Sequence, residues 1–168
     1  MLKQGLPQSL KSRASAREQA YIDAVAKRYS GDAKDRATGD RDFAEAMRDV
    51  VKRFPDDLDA ATIYAESLMD LRPWNYWRGD GSPYAETPEI IQSLEKVIAR
   101  NPHHPGANHL YIHAMEANTP AKAEAAADRL LKLMPGAGHM VHMPSHIYQR
   151  VGRYADAAAS TQAAVAAD

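Results

Sequence analysis

The placement of proline after three amphipathic segments is the feature that most restricts how this chain can fold. Pro55, Pro102 and Pro135 each follow such a segment, and a proline cannot continue a helix interior. Small or apolar residues stand twelve, eight and five positions before each proline, a spacing that places them on one helix face. The same offsets, counted back from the position just beyond the last residue, give a fourth set. The four sets are Phe43, Met47 and Val50; Ile90, Leu94 and Val97; Ala123, Ala127 and Leu130; and Ala157, Thr161 and Ala164.

Apolar periodicity and capping residues predict eight helices and no strand. Ser15 and Glu18 have the spacing of a capping box, and Asp40 is the expected N-cap of the second helix. Thr87 and Thr119, each followed by proline, are expected to open the fourth and sixth helices. The predicted helices lie near residues 15–29, 40–54, 58–71, 88–100, 105–118, 120–134, 143–151 and 154–168.

These helices predict an all-α fold, an α-solenoid of about four antiparallel helix pairs of the tetratricopeptide repeat (TPR) type. The last two units have the 34-residue period of that repeat, and each pair leaves an apolar face for its neighbour to bury. A generic helical bundle with coincidental spacing is the alternative. We expect a flexible leader over residues 1–14 and a single repeat domain over 15–168. Its units are expected near 15–55, 58–102, 104–135 and 138–168.

Composition excludes several classes of function. The 168 residues carry a formal net charge of -1, and no basic stripe indicates a nucleic-acid partner. The absence of cysteine excludes disulfides, thiolate zinc sites and cysteine nucleophiles. We expect a soluble protein without a transmembrane segment, because the apolar runs are short, and the start lacks the apolar core of a signal peptide. The cellular compartment stays open.

All seven histidines lie between residues 103 and 146. His109, His113 and Glu116 fall within roughly 60° of one another on a helix, so they can share a metal ion. His139, His142 and His146 belong to the next first helix of the array, which stacks alongside at about 10 Å. Pro144 is expected to begin that helix and to leave His139 and His142 in the approach loop. The candidate ion is divalent zinc, copper, nickel or iron, and histidines of a polar groove surface are the alternative.

A loop over residues 72–88 holds both tryptophans, and its aromatic content predicts a segment packed on the helices, with a lid over a ligand as the alternative. At least one of Trp74 and Trp77 is expected to be mostly buried. The concave groove of the repeat array is the expected binding surface for a peptide. The groove residues predicted from the repeat register and the loop are Asn108, Tyr111, Ile112, Met115, Gln149, Arg150, Trp74 and Trp77.

Three segments resemble a family of bacterial TPR proteins: RFPDDLDAATIYAESLMDLRPWNYW, NPHHPGANHLYIHAMEA and PGAGHMVHMPSHIYQRVGRYADA. The resemblance covers nearly the whole chain from about Ser15. It implies a TPR fold, protein or peptide binding on the concave groove, and a chain that is part of a longer protein. It supplies no catalytic residue.

The leading interpretation is therefore a TPR scaffold that binds a peptide or protein partner, with no enzyme activity expected. The alternative is a histidine-rich protein that binds a divalent metal, as a metal-dependent enzyme or otherwise, with its site between the third and fourth units. A purely structural spacer is a third interpretation. The alanine-rich last helix has no polar cap, and it is a candidate surface for self-association.

Overall fold

The computed structural model describes residues 10–29 and 35–167. Within these ranges the chain forms α-helices, two short 3-10 helices and no strand, so the all-α prediction is confirmed. Trp77 and Pro83 form an isolated β-bridge. None of the helices in the described ranges combines the length and apolar character that crossing a bilayer requires. The helices are α1 Ala16–Arg28, α2 Arg36–Arg53, α3 Leu58–Asp70, α4 Thr87–Arg100, α5 Pro105–Met115, α6 Glu124–Leu133, α7 Gly138–His142, α8 Pro144–Arg150 and α9 Tyr154–Ala167.

The helices belong to two compact units, one up to Pro73 with α1–α3 and one from Trp74 onward with α4–α9. The prediction of a single repeat domain over 15–168 stays a prediction. Residues 1–9 of the expected leader lie outside the described ranges, while Lys11–Arg13 form a 3-10 helix.

The first unit begins with the predicted capping box, since the Ser15 hydroxyl accepts from the Glu18 amide and the Glu18 carboxylate accepts from the Ser15 amide. The predicted cap of the second helix is wrong. The N-cap is Asp35, whose carboxylate accepts from the Thr38 amide, so the helix starts four residues before Asp40. Asp40 is instead buried within α2, and its carboxylate pairs with Arg28 at 2.9 Å.

The proline-anchored positions form the core. All nine residues of the first three proline-anchored sets are buried, as predicted; Phe43, Ile90 and Leu130 are examples. The fourth set differs, because α9 turns a different face inward. Ala164 is buried, whereas Thr161 is exposed and the neighbouring Ser160 takes the inward position. The Ser160 hydroxyl donates to the Val141 carbonyl at 2.6 Å, which anchors α9 on α7.

The tryptophan loop is held mainly by Tyr76 and Trp77. Tyr76 is buried, and its carbonyl accepts from the Thr87 hydroxyl at 2.6 Å. Thr87 is the first residue of α4 and Glu86 is its N-cap, so the cap predicted at Thr87 is shifted by one residue. Trp77 is half-buried and its indole N–H donates to the Ala114 carbonyl on α5. Trp74 is 70% exposed, but the larger part of the Trp77 surface is covered, so the prediction that at least one tryptophan is mostly buried is confirmed.

Pro144 is the first residue of α8, as predicted, but the backbone before it is also helical. Short helix α7 precedes it, and Met143 keeps helical angles of φ -51° and ψ -39° between α7 and α8. The expectation that His139 and His142 lie in a loop is therefore wrong. The proline removes one backbone donor, yet Met143 between the two helices keeps helical backbone angles.

Gly39 allows α1 and α2 to approach closely. Replacing it by alanine should therefore destabilise the protein, which is the opposite of the usual effect within a helix. A Cβ at Gly39 would lie 2.5 Å from the Arg28 carbonyl oxygen. Alanine normally stabilises a helix interior by about 1 kcal/mol over glycine, but here the clash should win. Gly39→Ala should lower the free energy of unfolding by about 1–3 kcal/mol in urea titration. Gly136→Ala is the control, since a Cβ there meets nothing within 4 Å. A more stable Gly39→Ala protein would contradict the close approach.

Candidate metal centre

Helix α5 presents the first half of the site along one face. His109, His113 and Glu116 stand four and three residues apart, with Glu116 at the C-cap. The start of the helix is fixed by His104, whose Nδ1 accepts from the Ala107 amide at 3.2 Å. His104 is thus a capping residue, and His103 is an exposed residue of the preceding turn.

The run α7–α8 presents the second half. His139, His142 and His146 stand three and four residues apart, which is the spacing of one helix face when the backbone stays helical through Met143. The structure brings this face against the face of α5. All six residues predicted as metal-site candidates therefore lie in one cluster.

The Nε2 atoms of three histidines, two on α5 and one on α7, lie close together within the cluster. The Nε2 atom of His109 lies 3.1 Å from Nε2 of His113 and 3.1 Å from Nε2 of His139. Potential ligand atoms of these three residues all lie within 4.8 Å of one another. His113 is buried, His109 half-buried and His139 exposed, so the cluster opens to solvent on the His139 side.

Hydrogen bonding alone does not satisfy these three nitrogens. Nδ1 of His113 lies 3.3 Å from Oε1 of Glu116, and a carboxylate can only accept, so this nitrogen carries the proton. Neutral His113 then has a lone pair on Nε2. His109 has one Nε2 proton at most, and a single N–H cannot point well at His113 and at His139 together. A cation between the three lone pairs would satisfy all of them.

Glu116 connects the two helices. Its second oxygen, Oε2, accepts from Nδ1 of His146 at 2.7 Å, and its side chain is 11% exposed. Burial by itself raises the pKa of Glu116, but the hydrogen bonds from His113 and His146 outweigh it and lower the pKa to about 2. The carboxylate is therefore ionised at neutral pH, and each oxygen is occupied by one imidazole N–H.

Two further histidines form a pair on the other side of Glu116. Nε2 of His146 lies 3.1 Å from Nε2 of His142, and Nδ1 of His142 lies 3.4 Å from the Ser145 hydroxyl. The Ser145 hydroxyl therefore lies against His142, where it can orient that ring.

Burial favours the neutral form of two of these imidazoles, His109 and His142. Burial, together with the neighbouring His113, His139 and His146, lowers the pKa of His109 to about 4. Burial likewise lowers the pKa of His142, helped by His146 and His139. Neutral imidazoles are the form that binds metal ions.

Trp74 lies at the edge of the cluster. Its indole meets the His113 ring edge to face, with the ring centroids 4.8 Å apart and the planes at 81°. Its backbone φ is 62°, in the left-handed region that residues other than glycine rarely adopt. The contact was not predicted, because nothing in the sequence indicates a left-handed backbone at a tryptophan.

The predicted groove residues separate into two groups. Asn108, Tyr111, Ile112 and Met115 are buried. The Asn108 amide donates to the carbonyls of Pro102 and His104, so its polar groups are used within the unit. These four residues contact protein and do not line an open surface. Gln149, Arg150 and Trp74 are exposed, and Trp77 is half-buried.

Lowering the pH should destabilise the metal-free protein through His109 and Glu116. The unfolded chain protonates His109 near its ordinary pKa of 6.5, whereas the folded chain does so only near 4. The unfolded state therefore binds more protons between these values, and the free energy of unfolding should fall as pH drops through this window. A second loss should follow between 4.5 and about 2, through Glu116.

Urea titrations at a series of pH values, with a chelator present, would measure both losses. His109→Gln should remove most of the first loss and leave the second. An unchanged first loss in this variant would show that other groups cause it.

The chain is similar in structure to MamA, whose fold is TPR-like. It matches one MamA structure, crystal form C2 from MSR-1, with a TM-score of 0.62 and 16% identity over 96% of this chain and 84% of that one. A second MamA crystal structure gives 0.65 and 16% over 95% and 82%, and a third, from AMB-1, gives 0.60 and 17% over 98% and 86%. No protein-family model and no curated protein sequence matches the chain. At these identities the similarity is one of fold, and it confirms the predicted TPR-like helical repeat.

Proposed function

We propose that this TPR-like protein binds a divalent transition-metal ion through Nε2 of His109, His113 and His139. The observation that carries the proposal is the convergence of these three nitrogens, with 3.1 Å from His109 to each of the other two. A tetrahedral zinc ion with bonds of about 2.0–2.1 Å separates its nitrogen ligands by roughly 3.3–3.4 Å. The separation of His109 from each of the other two nitrogens is therefore within a few tenths of an ångström of the value that zinc requires.

In this proposal Glu116 orients the histidines and does not bind the ion, whereas the sequence predicted it as a ligand. Both its oxygens accept from imidazole Nδ1 atoms, so it fixes the tautomer that leaves Nε2 free. A carboxylate behind a metal-bound histidine is a common arrangement, and it raises the basicity of the ring. The nearby negative charge also offsets part of the charge of the ion.

The donor set selects the class of metal. Three neutral imidazoles suit zinc, copper, nickel or iron, whereas magnesium and calcium prefer oxygen ligands. Three protein nitrogens leave the fourth tetrahedral position for water or another small ligand. Exposed His139 marks the side from which that ligand would enter.

Zinc binding to the untagged, chelator-treated protein tests the proposal by calorimetry and thermal unfolding. His139→Gln should weaken binding at this site by 100-fold or more, because it removes one of three ligands. Glu116→Gln should weaken it by about 10–100-fold, as expected for a group that orients a ligand. Zinc at about 100 times its Kd should stabilise the wild-type protein by about 2.7 kcal/mol.

His103→Gln is the matched control, because His103 is exposed and lies outside the cluster. Its zinc affinity should equal that of the wild type. If the wild-type protein binds zinc, copper, nickel and iron no tighter than about millimolar, the proposal fails.

Binding of a peptide segment from a protein partner is a second candidate function. A specific observation favours it: two exposed side chains contact the C-terminal end of α5, since Trp74 packs on His113 and the Arg150 guanidinium donates to the Glu116 carbonyl. Exposed tryptophan and arginine are the side chains most enriched at the energetic centres of protein interfaces. The TPR-like fold agrees with this candidate but does not identify a partner.

Selection from a random peptide library would test this candidate directly. Peptides that bind this surface should lose about tenfold or more in affinity on Trp74→Ala and on Arg150→Ala. Val165→Ala, an exposed position on α9, should leave affinity unchanged. Selected peptides that bind the Trp74→Ala protein as tightly as the wild type would refute the assignment to this surface.

A further inference from the structure

His142 and His146 form a second pair of imidazole nitrogens apart from the first three. Their Nε2 atoms are 3.1 Å apart, the same separation as in the first cluster. The ring of His146 lies 5.9 Å, centroid to centroid, from the ring of His113. The pair is therefore adjacent to the first cluster across Glu116, and no role has yet been given to it.

The protons on this pair can be assigned from its partners. Nδ1 of His146 faces Oε2 of Glu116 at 2.7 Å and must donate, which leaves a lone pair on Nε2 in the neutral ring. Nδ1 of His142 faces the buried Ser145 hydroxyl, which can accept from it. With that tautomer, both Nε2 atoms direct lone pairs at the same point.

We propose that His142 and His146 hold a second divalent metal ion, so that the protein carries a two-ion centre joined by Glu116. This inference rests on the proposed function, because Glu116 orients one histidine of each site. One carboxylate oxygen orients His113 for the first ion, and the other orients His146 for the second.

The second ion should bind more weakly than the first. It has two protein nitrogens instead of three, and water or an oxygen-donor anion must complete its coordination. A first dication nearby also repels it, although Glu116 lies between the two sites and offsets part of that repulsion. The alternative is a simple hydrogen bond from Nε2–H of His142 to Nε2 of His146, with no ion.

Zinc stoichiometry of the whole, untagged chain separates these possibilities. Zinc titration by calorimetry and native mass spectrometry should show two ions on the wild type, one tight and one weaker. His142→Gln should retain the tight ion and lose the weak one, and His139→Gln should lose tight binding and retain the weak ion. Glu116→Gln should weaken both sites by about tenfold or more. His103→Gln should still bind two ions.

Several results would overturn the inference, and they differ from failure of the proposed function. One ion on the wild type, with the same affinity in His142→Gln, would refute the second site and leave the first intact. Two ions retained by His142→Gln would place the second ion elsewhere. No ion on the wild type would refute both proposals. The wild-type stoichiometry keeps the inference testable if a variant fails to fold.

Discussion

The two hydrogen bonds that Glu116 accepts are the interaction on which the centre depends. A carboxylate that is 11% exposed loses most of its hydration, and this cost is several kcal/mol unless the charge is compensated. His113, three residues before Glu116, and His146 on α8, thirty residues after it, provide that compensation, one at each carboxylate oxygen. The same two bonds set both rings in one tautomer. A single ionised group thus couples helix packing to the chemical state of the imidazoles.

The packing of the second unit keeps this carboxylate in place. Asn108 has no solvent exposure, and it joins the turn before α5 to Arg129 on α6 at 3.1 Å. On the other side, Tyr148 on α8 donates to Asp128 on α6 at 2.8 Å. Helix α6 therefore fixes the register of both histidine-bearing helices. Apolar residues such as Leu130 and Ile147 fill the space between these polar contacts.

Periodicity made the helices and much of the cluster predictable. Fixed rotation per residue places His109, His113 and Glu116 on one face in any α-helix, and the proline-anchored repeat sets the helices that face each other. Three features were not predicted, because the local sequence allows more than one outcome at each of them. Helical geometry continues through Met143 even though a proline follows it. Asp35 caps α2, and Asp40 is left to pair with Arg28. The role of Glu116 depends on which ring nitrogens face it, and residue spacing does not specify that.

The left-handed backbone at Trp74 lowers the stability of the protein, but it places the indole beside His113. A residue with a side chain at φ 62° costs roughly 1–2 kcal/mol relative to glycine, and asparagine also tolerates this region well. Selection for stability alone would therefore favour glycine or asparagine at this position. Either replacement would remove the indole that borders His113 and leave the cluster without an aromatic wall. The strain at this position is a local trade-off between a more stable chain and an aromatic side chain packed beside His113.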